Sequence, residues 1–212
     1  AIEAHRVASP SAVVARAIGI PSVAEAAALA AAGADSRLVV RKQTSPHATI
    51  AIALAAAPID PQSVGRARGR VTIVGLGPGD VAHRTHAAEA ALRRASDIVG
   101  YAGYLQLAGE LARGKRLHGF ALGEEAARCR RALELAAEGR EVALVCSGDP
   151  GIYAMASPLL ELLAGEGQRR PEWQRLAIEV VPGISAMQLA AARSGAPLGH
   201  DFCAISLSDL LT

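Results

Sequence analysis

Val71-Thr72-Ile73-Val74-Gly75-Leu76-Gly77-Pro78-Gly79-Asp80 is the stretch whose reading decides the fold. Its first four residues are apolar or β-branched and read as a short buried strand. A glycine-rich turn follows, and a helical pattern begins near Thr85. A strand running directly into glycines is how an α/β protein brings bare backbone up to a ligand at a strand's C-terminal end. Glycine tolerates positive φ and lacks the Cβ that would hold a neighbour away, and Pro78 fixes one φ. The stretch is not the dinucleotide fingerprint, because Asp80 stands where G-x-G-x-x-G needs its third glycine. On its own it suits a purely structural βα turn as well as a ligand site.

Reading outward, strands are expected at Val71–Gly75, Asp97–Val99, Val142–Ser147, Ile178–Val181 and Phe202–Leu207. Helices are expected at Thr85–Ala95, Leu105–Arg113, Glu124–Glu138, Ala154–Ala164 and Ser185–Ser194. Strands interleaved with helices predict an α/β fold with a mainly parallel sheet. Residues 58–70 carry prolines, glycines and arginines without an apolar period and read as a linker. Residues 1–57 then form a small α/β unit of their own. There Ser22 and Glu25 are expected to make a capping box, Ala24 to Ala32 a helix ended by Gly33, and Leu38–Val40 and Thr49–Ala53 two strands. Between the strands, Arg41–His47 reads as a polar loop with two cations, either solvated or holding an anion.

Composition narrows the function classes. Lys plus Arg number 22 and Asp plus Glu 20, so nothing suggests a nucleic-acid partner. The two lysines, Lys42 and Lys115, stand against many arginines, which with abundant alanine points to a GC-rich genome rather than to chemistry. Cys129, Cys146 and Cys203 are far apart and form no C-x-x-C, which argues against disulfides and zinc. No metal is expected, and the default setting is the reducing cytoplasm. The most apolar run, Ala48 to Ala57, is too short for a membrane span of roughly 20 residues.

Three more turns fall at strand ends: Gly100-Tyr101-Ala102-Gly103-Tyr104, Ser147-Gly148-Asp149-Pro150-Gly151-Ile152-Tyr153 and Pro182-Gly183-Ile184-Ser185-Ala186. Each alone is ordinary turn chemistry. Four in this order are far more specific. Over Arg70 to Thr212 the chain resembles the tetrapyrrole methylases, S-adenosylmethionine-dependent enzymes that modify uroporphyrinogen and precorrin rings. The turns at 100–104 and 147–153, with Gly195-Ala196-Pro197-Leu198-Gly199-His200-Asp201-Phe202-Cys203 and Ile205–Thr212, are similar to the precorrin-3B C17-methyltransferase group. Residues Gly19 to Ala57, through Ser22–Leu29 and Lys42-Gln43-Thr44, resemble the C-terminal part of the cobalamin-biosynthesis G protein, also found as a stand-alone E protein.

The resemblance implies methylation of precorrin-3B at C17 with ring contraction, S-adenosyl-L-methionine as cofactor, and a homodimer. Donor-binding positions would be Gly75, Gly77, Pro78, Ser147, Gly148, Asp149, Ile152, Ser185 and Ala186. Ser185 also starts a helix, so its hydroxyl can serve as an N-cap alone. In the uroporphyrinogen methylases an aspartate proposed as proton acceptor follows the second strand. Ala102 stands there, so that base does not transfer. Proton transfer is left to His200, Tyr101, Tyr104 and Asp201, with His200 best suited to titrate near neutrality. Another precorrin position, or a non-catalytic tetrapyrrole-binding fragment, are the alternatives. The family has two α/β domains, and the sequence is expected to hold the first, at 71–212, with the start of the second. It is therefore expected not to turn over by itself.

Overall fold

The computed structural model describes residues 6–60, 64–65 and 67–206. The chain divides into two compact units, Ala1–Gly65 and Arg66–Thr212.

In the first unit, α1 (Ala12–Ile18) and α2 (Val23–Ala32) precede a hairpin of β1 (Arg37–Thr44) and β2 (Thr49–Leu54). Helix α2 packs on the hairpin through Ala26 and Leu29. The expected capping box is absent: Ser22 makes no side-chain cap, and its Oγ is buried without a partner among the described residues. Glu25 is instead fully buried. It accepts hydrogen bonds from the backbone N–H groups of Ser9 and Lys42, both at 2.8 Å. The ladder between β1 and β2 is interrupted between Val40 and Gln43, the interval that holds Lys42. Burial raises the Glu25 pKa, but the backbone donors outweigh it and hold the group below its ordinary range. The carboxylate thus ties Ser9 to the hairpin, a longer reach than a cap. The expected loop 41–47 is also corrected. Arg41–Thr44 belongs to β1, and the turn is closed from Ser45 N–H to the Ala48 carbonyl at 2.8 Å.

In the second unit the strands are β3 (Arg70–Gly75), β4 (Asp97–Tyr101), β5 (Arg116–Phe120), β6 (Glu141–Cys146) and β7 (Ala177–Val181). All pairings are parallel, in the order β5-β4-β6-β3-β7. The helices are α3 (His86–Arg94), α4 (Ala102–Leu107), α5 (Glu125–Ala137), α6 (Ala156–Ala164), α7 (Pro171–Gln174) and α8 (Ala186–Ser194). Strands β3 and β6 lie centrally and are buried almost throughout, as continuous apolar runs require when both sheet faces are covered. One core layer centres on Ile73, Leu133, Leu144, Leu159 and Trp173. The other centres on Val74, Leu92, Ile98, Val145 and Val181. Adjacent strand residues serve opposite layers, as a two-residue side-chain period dictates.

Two sequence expectations fail here. No strand forms over residues 202–206, and Leu207 with the rest of the closing run lies outside the described residues. The helix expected at Leu105–Arg113 is α4 followed by a short 3-10 segment at Gly109–Ala112. Gly109 takes φ 56° at the break, where a left-handed residue ends the α-helix.

Asp97 opens β4 and is fully buried. Arg116 donates to both its oxygens at 2.8 Å. His118 lies 3.0 Å away, Arg140 donates at 3.2 Å and the Ser96 hydroxyl at 2.8 Å. Arg116 and His118 belong to β5 and Arg140 precedes β6, so one carboxylate pins the edge strand to the sheet. The Arg116 hydrogen bonds, against the cost of burial, hold the Asp97 carboxyl well below the usual carboxylate range. A depressed folded-state pKa gives stability that is present above the unfolded value, about 3.9, and lost as pH falls. Asp97→Asn should therefore cost about 2–3 kcal/mol at pH 7, moderated because Arg116 can turn to water. In urea unfolding, the gap from the wild type should narrow as the pH is lowered below about 4.

Candidate functional site

Because β6, β3 and β7 are neighbours and parallel, their C-terminal ends lie side by side. The three following turns pack backbone on backbone. Gly148 N–H donates to the Gly77 carbonyl at 2.8 Å, and Gly77 N–H donates back to Gly148 at 3.3 Å. The Gly148 carbonyl faces two more glycines. A Cβ on Gly75 would lie 2.4 Å from that oxygen, and one on Gly183 would lie 2.1 Å from it. Neither position can carry a side chain unless the turns separate. Asp149 completes the junction: Oδ1 accepts from Gly151 N–H at 2.8 Å and Oδ2 from Gly183 N–H at 3.1 Å. The carboxylate clamps the turn after β6 to the turn before α8.

Above this junction lies a cleft of about 840 Å³. Of the expected donor positions, Ser147, Gly148, Asp149, Ile152, Ser185 and Ala186 line it. Gly75, Gly77 and Pro78 are not among its lining residues. Gly75 and Gly77 are buried, Gly75 against the other two turns, so this glycine makes room for protein backbone. Tyr104 lines the cleft. Tyr101 packs edge-on against it, with ring centres 5.1 Å apart and planes at 83°. His200 is exposed, at φ 52°, in a segment without regular structure, and it does not line the cleft; Asp201 beside it is exposed too.

Several lining residues were missed by sequence reasoning. Tyr153 takes φ 48°, an uncommon conformation for a bulky residue, and its hydroxyl donates to the Ala204 carbonyl at 2.8 Å. This bond ties the segment after α8 to the cleft, where Ser206 joins the lining. Met155 and Met187 add apolar surface. Glu125 and Arg128, in the first four residues of α5, close another side. Arg128 is 3% exposed and donates to Glu125, while its Nε has no partner among the described residues. Arg128, Arg130 and Arg131 are three arginines within four residues of one helix, and only the first is buried. Arg130 and Arg131 do face acids on partly exposed surface, Glu166 and Glu134. The available signal was Glu125-x-x-Arg128, a pair at helical spacing that seats the cation at the wrong helix end.

Two chemistries are settled locally. Ser185 makes a complete capping box, accepting from Gln188 N–H at 3.2 Å while its own N–H donates to the Gln188 side chain at 2.8 Å. Cys146 lines the cleft, but burial pushes its thiol up to about 11, so it is not a thiolate nucleophile near neutrality. No group of three or more His, Cys, Asp or Glu able to hold a metal occurs among the described residues.

A parallel sheet with a mixed polar and apolar cleft at its C-terminal edge defines an α/β ligand-binding domain. The family model for Tetrapyrrole (Corrin/Porphyrin) Methylases matches residues 70–212, and the chain belongs to that family. Residues 1–53 match the model for Cobalamin synthesis G C-terminus. The probable cobalt-factor III C(17)-methyltransferase of Salmonella typhimurium is 44% identical over 144 residues, covering 67% of this chain and 56% of that protein. The precorrin-3B C(17)-methyltransferase of a Sinorhizobium species is 39% identical over 149 residues, covering 68% and 55%. Among solved structures, the methyltransferase CobJ is similar, with 50% identity, a TM-score of 0.61, and coverage of 68% of this chain and 58% of that one. The chain thus spans little more than half the length of these relatives.

The junction makes a stability prediction. Gly183→Ala should destabilise the chain by about 1–3 kcal/mol, because the added methyl meets a backbone oxygen that cannot swing away. Gly151→Ala, whose nearest atom is an Asp149 carboxylate oxygen at 3.2 Å, should cost clearly less. Urea unfolding of the two variants measures the difference, and equal costs would contradict the packed junction.

Proposed function

We propose that residues 70–212 form the donor-binding domain of an S-adenosylmethionine-dependent C-methyltransferase of corrin-ring biosynthesis. The substrate class is a precorrin-3B-type ring, metal-free or cobalt-loaded, methylated at C17 with contraction of the macrocycle. The observation that carries this reading is the cleft itself. It is assembled from the turns at 147–153 and 182–187 at the sheet's C-terminal edge, in a chain whose relatives are C17-methyltransferases.

The residues present fit the donor. The cleft volume lies within the usual range for small-ligand sites, about 300–1,000 Å³. Ile152, Met155 and Met187 offer apolar and polarisable surface for the adenosine and thioether parts, and Ser147, Gly148 and Asp149 offer polar groups. S-adenosylmethionine, when bound, supplies an electrophilic methyl on a cationic sulfonium. The chain's part is to hold that methyl in line with a nucleophilic ring carbon and to exclude water. Such positioning can account for about 7–11 kcal/mol of a barrier. The proton transfers of ring contraction are assigned first to Tyr104, the one of the four expected acid–base residues that lines the cleft. Tyr101 supports it from behind by ring contact.

The match of residues 1–53 to a second cobalamin-pathway model supports the proposal that both units serve neighbouring steps. The same reading carries a cytoplasmic setting and a homodimer, which light scattering on the purified protein checks.

Asp149 provides the test. Its carboxylate positions both turns under the ligand, so Asp149→Ala should weaken S-adenosylhomocysteine binding at least about tenfold, the order expected for losing charge-assisted hydrogen bonds. Isothermal calorimetry reads this directly. Unchanged affinity in the variant would overturn the donor assignment.

A further inference from the structure

Arg128 presents a physical problem that its surroundings do not solve. The side chain is 3% exposed, so its charge is largely withdrawn from water, a costly transfer unless paired and hydrogen-bonded. It sits in the first four residues of α5, near the positive end of the helix dipole, where a cation is disfavoured. Glu125 takes one edge, and its side chain is 44% exposed, so this partner is itself held by solvent. The Nε has no acceptor among the described residues. An arginine fork matches a carboxylate with two parallel hydrogen bonds, and Glu125 leaves that capacity unused. The residue lines the cleft, as do Cys146 and Met155.

We propose that Arg128 is a carboxylate-binding residue of the cleft, held in readiness by Glu125 and completed by an anionic group of the incoming ligand. The inference rests on the methylase reading. Within it, two ligands bring carboxylates: the amino-acid end of the donor and the acidic side chains of the macrocycle. A bound carboxylate satisfies the orphan Nε and neutralises the charge against the helix dipole. Glu125 is then free to turn towards water.

The test is calorimetry on the full chain and its Arg128→Met variant, which keeps side-chain length and loses the charge. Three probes are used: S-adenosylhomocysteine, 5′-methylthioadenosine, which has the nucleoside without the amino-acid end, and uroporphyrin III, a ring rich in carboxylates. If the donor supplies the partner, the variant loses at least about tenfold on S-adenosylhomocysteine and nothing on methylthioadenosine. If the ring supplies it, the loss falls on uroporphyrin alone. Equal affinities in both proteins for all three probes overturn the proposal. An equal loss on methylthioadenosine and S-adenosylhomocysteine overturns it too, since that shows a collapsed cleft. Should Arg128→Met not melt cooperatively, Glu125→Gln decides: removing the competing carboxylate should tighten the acidic probe, and unchanged or weaker binding counts against the role. A wild-type chain that binds none of the probes defeats the methylase reading itself, which separates that failure from this one.

Discussion

The contact of the Gly148 carbonyl with Gly75 and Gly183 is the constraint on which the cleft depends. Three parallel strands deliver three turns to one edge of the sheet, and the turns meet at distances that exclude a Cβ at two of them. Because the turns touch through backbone, their relative positions are set by covalent geometry and hydrogen bonds rather than by rotamers. Asp149 adds a charged strut to the same junction, spanning from Gly151 to Gly183. Ser147, Ile152, Ser185 and Ala186 take their places from this base. A ligand bound above it meets a surface whose shape is determined before it arrives, which lowers the ordering cost of binding.

The sheet divides its duties between its two ends. At the start of β4, Asp97 gathers two arginines, a histidine and a serine, and holds β5 to its neighbour. Those groups satisfy one another and ask nothing of a ligand. At the opposite edge the polar groups are less complete: Arg128 keeps an unpaired Nε, and Tyr153 holds a left-handed conformation. The Asp97 cluster is closed on itself, whereas Arg128 borders the cleft with a donor to spare.

Most of the second unit was legible because its central strands are buried on both faces. Val71–Val74 is apolar or β-branched throughout and Val142–Val145 is an unbroken apolar run for that reason. Strand β5, Arg-Leu-His-Gly-Phe, escaped because it is an edge strand, half exposed, interrupted by glycine and fastened by charge pairs rather than by apolar burial. The Glu25 misreading has a similar cause. Spacing alone fits a capping box, while the true partners, Ser9 and Lys42, are distant in sequence. At the site, glycines marked the turns correctly but not their purpose. Gly75 admits backbone from two other turns, a contact that no local pattern encodes. Arg128 was hidden among neighbouring arginines that differ from it only in burial.

Amide hydrogen exchange with and without S-adenosylhomocysteine tests the central claim most directly. Bound ligand should protect the amides of residues 147–153 and 183–187 together, since one junction carries both turns, while residues of β5 exchange as before. Protection confined to other parts of the chain, or no change at either turn at saturating ligand, would contradict the account.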